Sequence, residues 1–229
     1  MPAPDLVIFD CDGVLVDSEI VAARVEAEML REAGHDITAE ELAERYAGLT
    51  FRDILIRIEE EAQMLFKASL IDHAEARVDE RLRKEVKPIS GVAEVLASLS
   101  LKKCVCSNSS EHRIAAMLER TGLGRFFEGV IFSSLATPSK RPKPAPDVFL
   151  YAAEKMGAEP ARCIVIEDSV HGITGARAAG MRVIGFTGAS HTSPGHANML
   201  MEAGAETTIH RMADLKPTIL ALSEWSEEG

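Results

Sequence analysis

The chain has 229 residues, of which 46% are hydrophobic and 27% charged, and its formal net charge is −11. That length suits one large domain or one domain with an insert, and the balance of apolar and charged residues predicts an ordinary folded core. The acidic excess argues against nucleic acid as a partner, because a phosphate backbone demands a basic face, and no apolar run approaches the ~20 residues of a membrane span.

The N-terminal MPAPD lacks the basic-then-apolar layout of a secretory signal. Cys11, Cys104, Cys106 and Cys163 lie in or beside apolar runs and form no CxxC pair. They read as reduced, buried thiols of a cytoplasmic protein. Cys11 adjoins two acids, which should raise its pKa and make it a poor nucleophile.

Leu6 to Phe9 read as a short buried strand of a parallel sheet. Asp10 and Asp12 follow it, and Gly13 permits a sharp turn. Such strands end in a crevice where ligands bind. Two acids two residues apart can both face that crevice, one holding a metal and attacking an electrophile, the other moving a proton. An Asx turn closing the strand is the plainer use of the same residues.

The pattern then turns helical. Residues 19–33 form a helix ending at Gly34, Thr38 with Glu41 makes a capping box, and Thr50 starts another helix. A charged stretch follows from about Glu59 to Val86, until Lys87-Pro88 closes it. No strand signal interrupts the region, and its apolar and charged faces suit a small bundle.

From Ser90 strand and helix alternate. Helices are expected over 91–99, 110–121, 146–156 and 171–179, and strands over 104–106, 129–132, 163–166, 182–186 and 207–209. Such alternation predicts an α/β fold, a doubly wound, mostly parallel sheet broken after its first strand by an all-helical insert. Residues 137–146 form a short proline-rich loop. Met199 and Met201 are expected to fill the core, and Trp225 to pack on it.

Three further segments carry chemistry. Ser107, with Asn108 and free N–H groups after it, fits an anion at a helix N-terminus, although Ser and Asn also serve as plain caps; Ser110 reads only as a cap. Lys143 stands among Pro142, Pro144 and Pro146, which hold it in few directions, so that it can neutralise a phosphoryl oxygen and steady a carboxylate. A solvated basic loop is the alternative. Glu167 and Asp168 leave another buried strand, and acidic oxygens from two strand ends make a hard-cation site suited to Mg2+. Gly172 and Gly175 read as helix–sheet packing, His171 as a surface or outer residue, and His191 and His196 as loop residues with little signal.

Together the segments DCDGVLVDSE, Ser107, KPAPDVF and IEDSVHGITGARAAGM resemble the four motifs of the haloacid dehalogenase-like hydrolases, over nearly the whole chain. The likeness is to the group holding β-phosphoglucomutase and small sugar-phosphate phosphatases. It implies a catalytic core from 1–17 and 87–229 and a mobile helical cap from 18–86. It implies Asp10 as nucleophile and Asp12 as general acid and base. It implies Mg2+ held by Asp10, the Asp12 carbonyl, Asp168 and, directly or through water, Glu167. Ser107, the Asn108 N–H and Lys143 would grip the phosphoryl oxygens.

Within that resemblance, Asp12 and the Glu167–Asp168 pair count against a metal-free dehalogenase. The mutases carry a cap His where this chain has Ala22, and a cap Arg where it has Phe51, with Arg52 one residue displaced. A phosphonate hydrolase would need a cap Lys as Schiff base, for which Lys67 carries no mark of burial. The resulting expectation is a Mg2+-dependent phosphatase acting on a small phosphorylated metabolite, a sugar phosphate. A phosphosugar mutase is the runner-up and a non-catalytic phospho-ligand sensor the third reading. Thr50 and Arg52, with Lys67 and His73 behind them, are candidates for substrate selection, and a monomer is expected.

Overall fold

Residues 4–46, 50–67 and 69–224 are described in the computed structural model. They divide into two compact units, one from 1–17 and 87–229, the other from 18–86.

The first unit is built on six parallel strands. These are β1 (Leu6–Phe9), β2 (Lys102–Ser107), β3 (Ile131–Ser133), β4 (Cys163–Glu167), β5 (Arg182–Phe186) and β6 (Thr207–Ile209), in spatial order β3-β2-β1-β4-β5-β6. Residues of β1 and β4 are buried throughout, which is why both read as unbroken apolar runs rather than alternating ones. Leu6 and Ile8 share one face with Cys104, Cys106, Cys163 and Val165 in a single apolar cluster. All four cysteines are free and buried. Burial pushes the Cys163 thiol up to about 12, and burial with Asp12 and Asp10 beside it raises Cys11 well above its usual range.

In the second unit, α1 (Glu19–Glu32) ends before Gly34, whose φ is 95°. The capping box starts α2 (Ala39–Arg45): Glu41 N donates to Thr38 Oγ1 at 3.1 Å, and Thr38 N to Glu41 Oε2 at 2.9 Å. Thr50 caps α3 (Phe51–Ala62) by accepting from Asp53 N. Leu30, Ile37, Leu42, Ile54, Leu55 and Ile58 form the apolar centre. The charged stretch is not continuous helix, because Gln63 adopts φ 52° and ends α3 before α4 (Ser69–Glu85) begins.

Helices α5 (Val92–Ser98), α6 (Glu111–Arg120), α7 (Asp147–Met156) and α8 (Val170–Ala178) match the expected ones to within about two residues, while β3 lies slightly later than expected and takes in Ser133. Two helices were not anticipated, α9 (His196–Glu202) and α10 (Leu215–Glu224). Helix α9 also corrects the expectation for Met199 and Met201. Both are exposed, at 44% and 45%, and it is Leu200 between them that is buried. Gly48, Leu49 and Trp225 lie outside the described residues. Among the described residues no helix is long and apolar enough to cross a membrane.

Candidate active site

The carboxyl ends of the central strands gather the acids. Phe9 is level with Val105 of β2 and with Ile166 of β4, so the next residues along, Asp10, Cys106 and Glu167, meet at one height. Asp10 N continues the ladder by donating to Ile166 O at 3.0 Å. Parallel pairing thus converts residues far apart in sequence into neighbours.

Lys143 is the hub. Its Nζ donates to Asp10 Oδ1 at 2.6 Å, Glu167 Oε1 at 2.7 Å and the Cys106 carbonyl at 2.8 Å, and it is buried. These three acceptors use the full donor capacity of an ammonium group. Burial disfavours the charge on Lys143, but Asp10 and Glu167 overcome it and raise its pKa. The loop carrying Lys143 is held by Asn108, whose Oδ1 accepts from Lys143 N at 2.8 Å and whose Nδ2 donates to Lys143 O at 3.4 Å.

Glu167 is also fixed from its other oxygen, since Oε2 accepts from Ser169 N at 3.0 Å and from Ser169 Oγ at 2.9 Å. A Cβ at Gly172 would lie 1.8 Å from Glu167 Oε1, so this glycine makes room for a carboxylate. Gly175 has the packing role: its Cβ would meet the Pro144 and Ala145 carbonyls at 3.1 and 3.2 Å. Gly13 has φ 73°, and a Cβ there would come within 1.8 Å of Asp168 Oδ2.

Carboxylate oxygens of Asp10, Glu167 and Asp168 lie within 4.8 Å of one another, all three residues being buried. Burial raises the Asp10 pKa well above the usual carboxylate range; Lys143 opposes this, and Glu167, Asp168 and Asp12 add to it. Burial likewise raises Asp168, with His191 lowering it and Glu167 raising it. One lysine facing three crowded acids leaves negative charge that a hard divalent cation would neutralise, and carboxylate oxygen is the donor such an ion takes. The residues present therefore fit a metal.

Asp12 stands apart from that trio. Its Oδ2 accepts from Ser107 Oγ at 3.2 Å and Ser109 Oγ at 2.9 Å. Ser107 Oγ in turn accepts from Ser109 N at 2.9 Å. The acids that look alike in sequence thus occupy different surroundings, a salt-bridged one for Asp10 and a hydroxyl-lined one for Asp12.

The haloacid dehalogenase-like hydrolase family model matches residues 7–186. The chain belongs to this family. It is similar to a conserved haloacid dehalogenase-like protein of unknown function from Agrobacterium tumefaciens, 54% identical with a TM-score of 0.91, over 96% of this chain and 100% of that one. It is 34% identical to fructose-1-phosphate phosphatase from Escherichia coli over 77% of this chain and 93% of the relative. It is 29% identical to 6-phosphogluconate phosphatase of the same organism over 83% and 86%. This member of the haloacid dehalogenase-like family is an enzyme, a hydrolase of the phosphoric monoester class.

Of the residues singled out in the sequence, Asp10, Asp12, Ser107, Asn108, Lys143, Glu167 and Asp168 are joined by the contacts above or by the acidic trio. Thr50 and Arg52 are exposed positions at the start of α3 in the helical unit, where Thr50 is committed to its cap and donates to Asp53 Oδ2 at 2.6 Å. Lys67, His73 and His171 are exposed. Four residues were missed. Ser109 binds Asp12, and Ser133 Oγ donates to Ser109 O at 2.7 Å, bracing that loop from the end of β3. His191 and His196 both reach Asp168. The run Ser107-Asn108-Ser109-Ser110 offered a signal for Ser109; nothing near His191 pointed to an acid more than 20 residues before it.

Proposed function

We propose that the protein is a Mg2+-dependent phosphatase that hydrolyses a small sugar phosphate through an aspartyl-phosphate on Asp10. The observation that carries this reading is the buried cluster of Asp10, Glu167 and Asp168 around Lys143 at the ends of parallel strands. The names of the related phosphatases support a phosphorylated sugar or sugar acid as the substrate class.

Asp10 and Asp168, the Asp12 carbonyl and, directly or through water, Glu167 would hold the cation. Bound there, it would draw charge from the phosphoryl oxygens and reduce their repulsion of an anionic nucleophile. Asp10 attacks phosphorus in line, forming an O–P bond as the bond to the sugar oxygen breaks. Asp12 gives that oxygen its proton, and then takes one from the water that splits the acyl phosphate. Ser107 and the Asn108 N–H hold the phosphoryl oxygens; Lys143 keeps Asp10 oriented, and it grips a phosphoryl oxygen by exchanging one of its three acceptors for it. The helical unit is assigned the role of a substrate-selecting cap, with Thr50 and Arg52 as its first residues to test. A mutase reading is disfavoured by Ala22 and Phe51, which stand where that group carries His and Arg. Four free, buried cysteines suit a cytoplasmic setting. The reading is completed by a monomer with no nucleic-acid or membrane partner.

The test is phosphate release from a panel of phosphorylated sugars, sugar acids and polyols, with Mg2+ and with EDTA, on the native chain and Asp10→Asn. Metal-dependent release lost by at least about 10³-fold in Asp10→Asn is expected. Release that survives either EDTA or Asp10→Asn overturns the mechanism. Interconversion of β-glucose 1-phosphate without phosphate release would establish the mutase instead.

A further inference from the structure

The loop from β5 to α9 brings two imidazoles onto one acid. His191 Nε2 lies 3.3 Å from Asp168 Oδ2, and His196 Nε2 lies 2.6 Å from the Asp168 carbonyl oxygen. A carbonyl oxygen only accepts, so His196 carries a proton on Nε2. The two rings meet edge to face, with centroids 5.8 Å apart and planes at 87°, so each limits the rotation of the other.

The loop is itself anchored away from Asp168. At its start Thr187 N donates to Ile209 O at 2.9 Å, and a Cβ at Gly188 would come within 2.2 Å of His210 O. In its middle Ser190 N donates to Asp17 Oδ1 at 3.1 Å, and the Ser190 hydroxyl bonds the same carboxylate. At its end His196 opens α9, whose Leu200 is buried. The imidazoles therefore sit on a segment fixed by contacts that do not involve the acidic trio.

We propose that His191 and His196 are positioning residues for the divalent-cation site, holding Asp168 toward Asp10 and Glu167. The inference rests on the metal-dependent reading given above. Three carboxylates crowded together repel one another, and without a restraint Asp168 lowers its energy by rotating away. His196 fixes the backbone from which that side chain springs, and His191 ties one carboxylate oxygen. Neutral N–H groups suffice for both contacts. Residues that orient a metal ligand in this way commonly change metal affinity by about 10–100-fold when removed.

The experiment is calorimetric titration of Mg2+ into the full chain, without substrate. It compares the native chain with His191→Ala, His196→Ala and the donor-retaining His191→Gln and His196→Gln, each with a urea midpoint in EDTA. The expected result is Mg2+ binding weaker by about 10–100-fold in each Ala variant. Recovery to within about threefold of native is expected in at least one Gln variant, at an unchanged urea midpoint. Ala variants that bind Mg2+ within about twofold of native overturn the inference and leave the phosphatase reading standing. Equal loss in Ala and Gln variants together with a lowered midpoint overturns it in favour of a purely structural role. A native chain that binds no Mg2+ removes the metal-dependent reading, and this inference with it.

Discussion

The two units treat charge in opposite ways. Among the described residues, the buried charged side chains are Asp10, Lys143, Glu167 and Asp168, all in the sheet unit. In the helical unit Arg77 pairs with Glu32, Arg81 with Glu28 and Arg45 with Glu61, every partner at least a third exposed. Surface pairs of this kind contribute little, because solvent screens them and two long side chains must be ordered. Buried ions have no such tolerance, since each must be compensated or desolvation expels it. The difference teaches that a burial map with the charges marked locates the candidate site more sharply than the abundance of charge does, for the helical unit is rich in acids and bases that serve mainly as surface.

The sharpest way to break this contrast is Lys143→Met. It strands Asp10 and Glu167 without their shared cation and is expected to cost about 3–5 kcal/mol near neutral pH, read from urea unfolding in EDTA. The deficit should shrink as pH falls and the raised Asp10 carboxyl takes up its proton, since a neutral Asp10 no longer needs the cation. A full deficit at low pH would mean that lost packing, not stranded charge, is responsible.

Gly172→Ala comes next. The added methyl overlaps Glu167 and forces it from Lys143, which is expected to cost about 1–3 kcal/mol as overpacking does. Hydrolysis should fall by more than about 100-fold, since displacement of the order of an ångström suffices. Near-native rates in this variant would show that Glu167 has room to move.

Glu26 sharpens the comparison from the helical side. It is half-buried, and burial pushes its carboxyl up to about 7. The unfolded carboxyl ionises near its ordinary value of 4.5. The folded state thus retains the proton longer, and this group's contribution falls as pH rises from about 4.5 to about 7. Glu26→Gln should match the native chain below about pH 4.5 and exceed it by about 3 kcal/mol near pH 8. A difference that does not vary with pH would place Glu26 among the solvated acids. The smallest effect belongs to Arg81→Ala, expected at below about 1 kcal/mol and diminishing further in salt; a loss of several kcal/mol would refute the contrast.

What the sequence disclosed follows from how local each feature is. Asp10, Asp12, Glu167 and Asp168 were legible because each stands at or just beyond the end of a buried parallel strand, and a strand end is visible as the end of an apolar run. Thr38 and Glu41 announced their helix because a capping box is complete within four residues. His191 and His196 were illegible because their meaning depends on a loop folding back onto the end of a different strand. Helix α9 has seven residues and one buried side chain, Leu200, too few to show a period, so its methionines read as core. Helix α10 contains Pro217 in its first turn, where proline is tolerated but looks like a break. Gly172 read as helix–sheet packing, while the carboxylate that occupies the space beside it could be found only in three dimensions.

The place of β1 in the sheet has a consequence for how the chain acquires its structure. Leu6 is made well before its partners, Lys102 on one side and Cys163 on the other. The strand bearing Asp10 must wait, apolar on both faces, while the helical unit and most of the sheet unit are made. The pairings of the central strand close much longer loops than the contacts within 18–86, and so cost more chain entropy. A chain arrested before β4 would carry an unpaired apolar edge, the kind of surface that chaperones bind and that aggregates seed from. The acidic trio cannot assemble before Glu167 and Asp168 have been made.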